Sequence, residues 1–324
     1  MPKTEHSTEN KSQYDGFCRK NPEIPLFFHP WWLDTVCGPA DWNVILATDK
    51  GGTIQGVLPY YFTRRFGLKL IQMPALTPYL GAWLRYPTTQ TKNEARYRFQ
   101  KRVLATLIEQ LPDFAYYSQN HPPQLDNHLP FLWRGFRQTT RYSYRLNCDR
   151  EIEELHRNLK GSVRTELRKA ADRIEIVESD DLELFYDLQK KSFQRQGKEF
   201  PYSFEFLQRI DNAARSRKQG HLFLARDRPG NYHAGMYLLR DDRTIYNLLQ
   251  GADPHFGNSG AVKALLWQGV RLAQTHRLIF DFEGSKIPQI ESVFSAFGGE
   301  LTPYYKIYKG GNPIFRHLSA LRNG

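Results

Sequence analysis

The run from Leu278 to Glu283 is apolar up to Phe280, then alternates through Asp281, Phe282 and Glu283 and meets Gly284. That is the pattern of a strand with one face in a core, stopped by a turn. Asp281 and Glu283 stand two apart, so on a strand they project from the same face. Two carboxylates side by side cost free energy unless something neutralises or uses them. The end of this strand is therefore where chemistry is expected.

The rest of the chain supplies a frame for that strand. In the second half, Glu151 to Arg173 reads as a helix with Ile152, Leu155, Leu159, Val163 and Leu167 on one stripe. Helices are predicted over Leu182 to Arg195 and Ser203 to Arg215, then strands over His221 to Arg226, His233 to Arg240 and Thr244 to Gln250. A helix over Ala261 to His276, the strand Ile279 to Glu283, a short helix over Pro288 to Phe297 and a strand over Pro303 to Lys309 complete the order. The first half has a similar sequence of elements. Strands are predicted over Trp42 to Thr48 and Ile54 to Thr63, joined by the turn Asp49-Lys50-Gly51-Gly52, with Leu68 to Met73 continuing the meander. A helix over Ala95 to Leu111, stopped by Pro112, precedes the strand Phe114 to Ser118, a short helix over Leu125 to Trp133 and the strand Gln138 to Asn147.

A chain of 324 residues can form one large domain or two of roughly 150 residues each, so element order must decide. With 40% hydrophobic and 14% aromatic residues the chain is of the folded, globular class. It has no apolar run near the roughly 18 residues that span a bilayer. The polar opening Met1 to Asn21 lacks the apolar centre of a signal peptide, which predicts a cytoplasmic protein. Cys18, Cys37 and Cys148 have no metal-binding spacing and read as reduced thiols. His221, His233, His255 and His276 show no ligand spacing, so no metal is expected. No Gly-x-Ser-x-Gly elbow supports a hydrolase. The net charge of +11 points to polyanionic partners such as transfer RNA, a CoA pyrophosphate or a nucleotide-linked precursor.

Four further features offer candidate contacts. The loop Gly257-Asn258-Ser259-Gly260 precedes an amphipathic helix, with Ser259 as the expected N-cap and free amides at the positive end of the helix dipole, an arrangement that can bind phosphate. Arg157, Lys160, Arg164 and Arg168 are spaced to line one helix face, as a ligand-facing row or a solvated one, with Gly161 able to bend the helix. Phe193-Gln194-Arg195-Gln196-Gly197 ends a helix on a glycine cap, leaving Arg195 and Gln196 at a candidate cleft or as plain capping residues. Tyr304 and Tyr305 alternate on the last strand, so one faces the core and the other a cleft.

The stretches Phe193 to Pro201, Gly251 to Ala261 and Phe280 to Ser285, with Phe297-Gly298-Gly299 and Tyr304 to Tyr308, resemble bacterial proteins of the GNAT acyltransferase superfamily, in the branch related to the FemABX aminoacyltransferases. The resemblance covers about Glu151 to Lys309. It implies an α/β fold of two tandem GNAT-like units, each a mostly antiparallel mixed sheet flanked by helices. The corresponding division is a flexible N-terminus over residues 1–21, a degenerate unit over 22–148, an acyltransferase unit over 149–310 and a tail over 311–324.

The function implied is N-acyl transfer, acetyl or aminoacyl, from acyl-CoA or aminoacyl-tRNA to an amine or hydroxyl of a small molecule or cell-envelope precursor. Acyl-CoA would be the co-substrate. In that reading Glu283 or Asp281 is the general base, Glu283 being favoured by its reach, and the other carboxylate pairs with Arg195 or Lys286. Gly257, Asn258, Ser259 and Gly260 would hold the pyrophosphate; Arg164, Arg168, Arg195, Gln196, Lys286 and Tyr305 would face substrate. The loop only approximates the family's phosphate pattern, and Ser295-Ala296 stand before Phe297-Gly298 where peptidoglycan-bridge enzymes carry a lysine. Transfer of groups other than aminoacyl groups is therefore favoured. The alternative is a non-catalytic RNA- or polyanion-binding protein on the same scaffold.

Overall fold

The computed structural model of the chain describes residues 5–87, 92–284 and 288–310. The chain divides into two units, Met1–Arg141 with Pro303–Gly324, and Tyr142–Thr302.

The first unit begins with helices α1 (Glu5–Lys20) and α2 (Pro30–Cys37). Strands β1 (Trp42–Thr48), β2 (Ile54–Arg65) and β3 (Leu68–Gln72) form an antiparallel meander, and β4 (Trp83–Leu84) pairs with β2. Helix α3 (Asn93–Glu109) then carries the chain to β5 (Tyr116–Asn120), which runs parallel to β3 with Leu70 opposite Tyr116. A parallel pair needs such a crossover, and α3 supplies it. Phe99, Val103, Leu104 and Leu107 of α3 are buried against Ile45, Leu58 and Ile71 of the sheet. At Gly56 the helix comes so close that an added Cβ would lie 2.5 Å from the Val103 side chain. A short helix α4 (Leu129–Leu132) leads to β6 (Arg137–Asn147), within which the chain enters the second unit.

The second unit contains α5 (Ile152–Asn158), α6 (Gly161–Ala171), β7 (Ile174–Glu178), α7 (Leu182–Gln194) and α8 (Phe204–Arg215). Strands β8 (Gly220–Asp227), β9 (Tyr232–Arg240) and β10 (Thr244–Ala252) follow, then α9 (Ala261–Thr275), β11 (Ile279–Asp281), α10 (Pro288–Ala296) and the start of β12 (Glu300–Gly310). Strand order here is β6-β11-β10-β9-β8-β7, antiparallel except for the parallel pair β10 and β11. Glycines show which helix covers which face. A Cβ on Gly269 of α9 would lie 2.6 Å from Phe280, whereas one on Gly235 of β9 would lie 2.7 Å from Phe185 of α7. Phe280 therefore faces α9, and its neighbour Asp281 faces the opposite side of the sheet.

Helix α2 and strands β4 and β7 fall where the sequence pattern predicts no element, and four expectations are corrected. The N-terminal segment expected to be flexible is helix α1. Tyr14, Phe17 and Cys18 are buried at helical spacing, and the Tyr14 hydroxyl donates to the Phe28 carbonyl at 2.6 Å. The predicted helix over Glu151 to Arg173 is two helices, because Leu159 and Lys160 are extended and Gly161 opens α6. The strand predicted to run to Glu283 ends at Asp281. Finally, Lys306 to Gly310 pair with Asn120 to Tyr116, which groups residues 303–310 with the first unit rather than with residues 149–302. Element order says nothing about which sheet a terminal strand joins. The tail over 311–324 lies outside the described residues. Among the described residues no helix is long and apolar enough to cross a membrane.

Candidate active site

Strands β10 and β11 pair over Thr244, Ile245 and Tyr246 opposite Ile279, Phe280 and Asp281, and no further. Past that point the carboxyl ends of two parallel strands diverge, which is where open α/β sheets hold their ligands. Asp281 closes the paired stretch and is wholly buried. A buried carboxylate needs a counter-charge and hydrogen bonds. Arg145, its register partner on β6, supplies the charge with Nε 3.3 Å from Oδ2. Ser143, two residues back on the same face of β6, donates its hydroxyl to Oδ1, and the Glu283 backbone amide donates to Oδ1 at 2.9 Å. Arg145 is held in turn by a 3.2 Å bond from Nη2 to the Thr244 hydroxyl.

Glu283 lies beyond the strand in the left-handed region, at φ +59°. That conformation costs a side-chain-bearing residue about 1 kcal/mol or more and points to a site that holds it. Its Oε1 is buried and has no hydrogen-bond partner among the described residues. Burial, and secondarily the negative charge of Asp281, raise its pKa well above the ordinary glutamate value. The two carboxylates thus come together through the turn after β11, not by sharing a strand face. Their environments differ sharply: one is ion-paired, and the other, half-buried, keeps one oxygen out of water beside it.

Neighbouring elements complete the surroundings. Tyr246, opposite Asp281 in the ladder, donates its hydroxyl to Asp241 at 2.9 Å. Register shifts between Asn247 and Leu249 where β10 pairs with β9, so Leu248 stands at a bulge. A bulge takes its extra residue out of the ladder and is common beside active sites. Asn247 Oδ1 at this bulge and Gln189 Nε2 on α7 are further buried polar atoms without a hydrogen-bond partner among the described residues. Gln189 packs on the strand, since a Cβ on Gly251 of β10 would lie 2.9 Å from its backbone nitrogen.

The other residues singled out in the sequence lie elsewhere. Arg195 and Gln196 are exposed at the end of α7, and Asp281 pairs with Arg145 rather than Arg195. Lys286 lies outside the described residues. Tyr305 belongs to the first unit, where its ring stands 5.2 Å from that of His128 and it packs on the core; Tyr304 packs edge-on against Tyr79. The row of four cations is broken by the kink at Leu159-Lys160. Arg164 there donates Nη1 to the carbonyls of Arg157 at 2.7 Å and Leu159 at 2.6 Å, capping α5.

The loop before α9 is built as a turn. Gly260, not Ser259, is the N-cap, at φ +80°, while the Ser259 hydroxyl accepts from the Ala261 amide at 3.3 Å. A Cβ on Gly260 would lie 3.0 Å from that of Ala170 on α6, and Glu166 of α6 pairs with Lys263 in the first turn of α9. The close approach that the glycine permits is taken by α6, and a carboxylate already stands at this helix end. On its Cβ side, Gly260 is packed against α6 rather than open to a ligand. Among the described residues no group of three His, Cys, Asp or Glu side chains is placed to hold a metal ion.

Arg145 and Ser143 are site residues that the sequence alone does not single out. Their alternation on the predicted strand Gln138 to Asn147 is visible there, but pairing them with Asp281, 136 residues after Arg145, requires the register of β6 on β11.

Residues 156–286 match the family described as acetyltransferase (GNAT) domain, which makes the second unit an acyltransferase domain of the GNAT class. Domains of this class take an acyl donor, in general acyl-CoA, and an amine acceptor. A crystal structure of FemX is similar to the chain at TM-score 0.66 and 15% identity, covering 91% of this chain and 95% of that one. A conserved protein of unknown function from Bacteroides thetaiotaomicron is similar at TM-score 0.56 and 11% identity, covering 94% and 98%. A tandem GNAT protein from the clavulanic acid biosynthesis pathway reaches TM-score 0.50 at 10% identity, covering 93% and 94%. At these identities the likeness shows the fold: a tandem GNAT arrangement of the FemX type. No curated protein matches the chain in sequence.

Proposed function

We propose that the second unit transfers an acyl group from a carrier ester or thioester to an amine, with Glu283 as the group that accepts the amine's proton. The observation that carries this reading is the dehydrated carboxyl oxygen of Glu283 beside the ion-paired Asp281, at the divergence of β10 and β11. A base works best with a pKa near the working pH, and dehydration moves a glutamate in that direction. Asp281 has a separate role: its charge, fixed by Arg145 and Ser143, raises the proton affinity of Glu283 and is not itself spent.

In the reaction the amine nitrogen bonds to the carbonyl carbon, its proton passes to Glu283, and the carbon–oxygen or carbon–sulfur bond to the carrier breaks. The departing alkoxide or thiolate takes up the proton that Glu283 accepted, which restores the carboxylate. The bulge takes Leu248 out of the ladder with β9, and a backbone amide freed there would serve the developing oxyanion as a fixed donor. Among donors, the occupied first turn of α9 disfavours a pyrophosphate seated on Gly260, and the chain's lack of a lysine before Phe297-Gly298 favours groups other than aminoacyl groups. An acceptor with a free amine, from a small metabolite to a cell-envelope precursor, suits the site. The test is transfer of labelled acyl groups from acetyl-CoA, longer acyl-CoAs and aminoacyl-tRNAs to a panel of amines. Turnover that vanishes in Glu283→Gln supports the reading, and turnover retained in both Glu283→Gln and Asp281→Asn overturns it.

A further inference from the structure

A cleft of about 1130 Å³ lies between α6 and α9 on the α9 side of the sheet, the side away from Asp281. Its floor includes Ile174 and Ile176 of β7, and its walls carry Arg164 and Arg168 from α6 and Trp267 and Arg271 from α9. Each pair is four residues apart and so shares one helix face. No acidic side chain lines the cleft among the described residues. Arg164 is committed to capping α5. Arg168 and Arg271 are exposed, and their guanidinium groups make no hydrogen bond or ion pair among the described residues. Two exposed cations with no acid between them leave a positive potential over the cleft, and guanidinium is the side chain best matched to phosphate. Trp267, half-buried at the same wall, offers an aromatic surface. The space reaches the upper end of ordinary small-molecule sites, about 300–1,000 Å³.

We propose that this cleft binds a nucleotide, its phosphates on Arg168 and Arg271 and its base against Trp267. The phosphates alone would account for the arginines; the indole and the apolar floor call for a planar ring attached to them. A free mononucleotide, the nucleotide part of CoA and a nucleotide of single-stranded RNA share this chemistry. The inference does not depend on Glu283 being the base, because its readout is binding.

The experiment is calorimetric titration of the full chain, at low and moderate salt, with ADP, CoA, a short single-stranded RNA and inorganic pyrophosphate. Saturable binding of at least one nucleotide probe is expected, and the tightest probe identifies the source. Arg168→Glu with Arg271→Glu should weaken it at least tenfold and flatten its salt dependence. Trp267→Leu should weaken the nucleotide probes by about tenfold while leaving pyrophosphate unchanged, since stacking acts on the base alone. Arg271→Gln, an exposed single change, serves as the check should the charge reversals unfold. No saturable binding by the wild-type chain, or equal affinity in folded charge-reversed protein, overturns the proposal. A pyrophosphate affinity equal to that of every nucleotide, with Trp267→Leu silent, overturns the nucleotide assignment.

Discussion

The ends of β5 and β11 occupy corresponding places in the two units, each strand running parallel to a neighbour reached through a helix, and they are furnished in opposite ways. At the end of β5 stand Gln119, Asn120 and His121, all buried and all with uncharged partners. Gln119 accepts from the Tyr117 hydroxyl at 2.6 Å and donates to the Pro59 carbonyl at 2.9 Å; Asn120 donates to the Pro78 carbonyl at 3.1 Å. His121 accepts from the Ala82 amide at 3.2 Å, and burial lowers its pKa to about 3, so it stays neutral. The loop at Gly81 lies so close to its ring that an added Cβ would be 2.9 Å away. At the end of β11 the corresponding positions hold Asp281 and Glu283, one ion-paired and one with a buried oxygen free of partners among the described residues. A satisfied neutral network fixes structure. A dehydrated carboxyl beside a fixed charge stores a bias in proton affinity, and that is a property of sites that do chemistry.

The sharpest way to break this contrast is Glu283→Gln. Turnover in the acyl-transfer panel should fall by about 10²- to 10⁴-fold, the usual worth of a general base, while donor affinity measured by titration persists. Next in size is Arg145→Met, which leaves the buried Asp281 charge without its partner. Denaturant unfolding should show a loss of about 3–5 kcal/mol, the cost of orphaning one member of a buried pair. In the first unit, Gln119→Leu should cost about 1–3 kcal/mol, the penalty for leaving the Tyr117 hydroxyl and Pro59 carbonyl unsatisfied, with per-molecule turnover of the folded protein unchanged. A large effect of Gln119→Leu on turnover would erase the division of roles between the two strand ends.

A smaller effect concerns pH. Because the folded-state pKa of Glu283 is raised, the native protein binds more protons than the unfolded chain between the ordinary glutamate value and the raised one. Stability contributed by this group therefore falls as pH rises through that window, with a slope of about 1.4 kcal/mol per pH unit, and levels off above it. Glu283→Gln has no such titration. Its stability relative to wild type should grow from about pH 4.3 upward, which paired thermal melts across the pH range will show.

Much of this is legible in the chain. The alternation around Phe280 and the apolar stripes of α6 and α9 set the elements, and the two acids before Gly284 mark the site. What escapes has a common physical cause. Arg145 and Ser143 reach Asp281 only through the register of β6 on β11, and the last strand's choice of β5 is likewise a long-range pairing. The kink at Leu159-Lys160 depends on backbone dihedrals that Gly161 permits but does not dictate, and it turns Arg164 from a ligand candidate into a cap. Gly260 reads in sequence as an approach point for phosphate; only the packing of Ala170 shows that a helix uses it.

Glu283 holds its proton more tightly than an ordinary glutamate because of burial and the neighbouring negative charge of Asp281. A carboxyl-carbon NMR titration of glutamate-labelled full-length protein tests this without any substrate, with Glu283→Gln identifying the resonance. A titration well above the ordinary glutamate range is expected in wild type, moving down in Asp281→Asn. A Glu283 resonance that titrates with the surface glutamates, or one that is unmoved by Asp281→Asn, would contradict it.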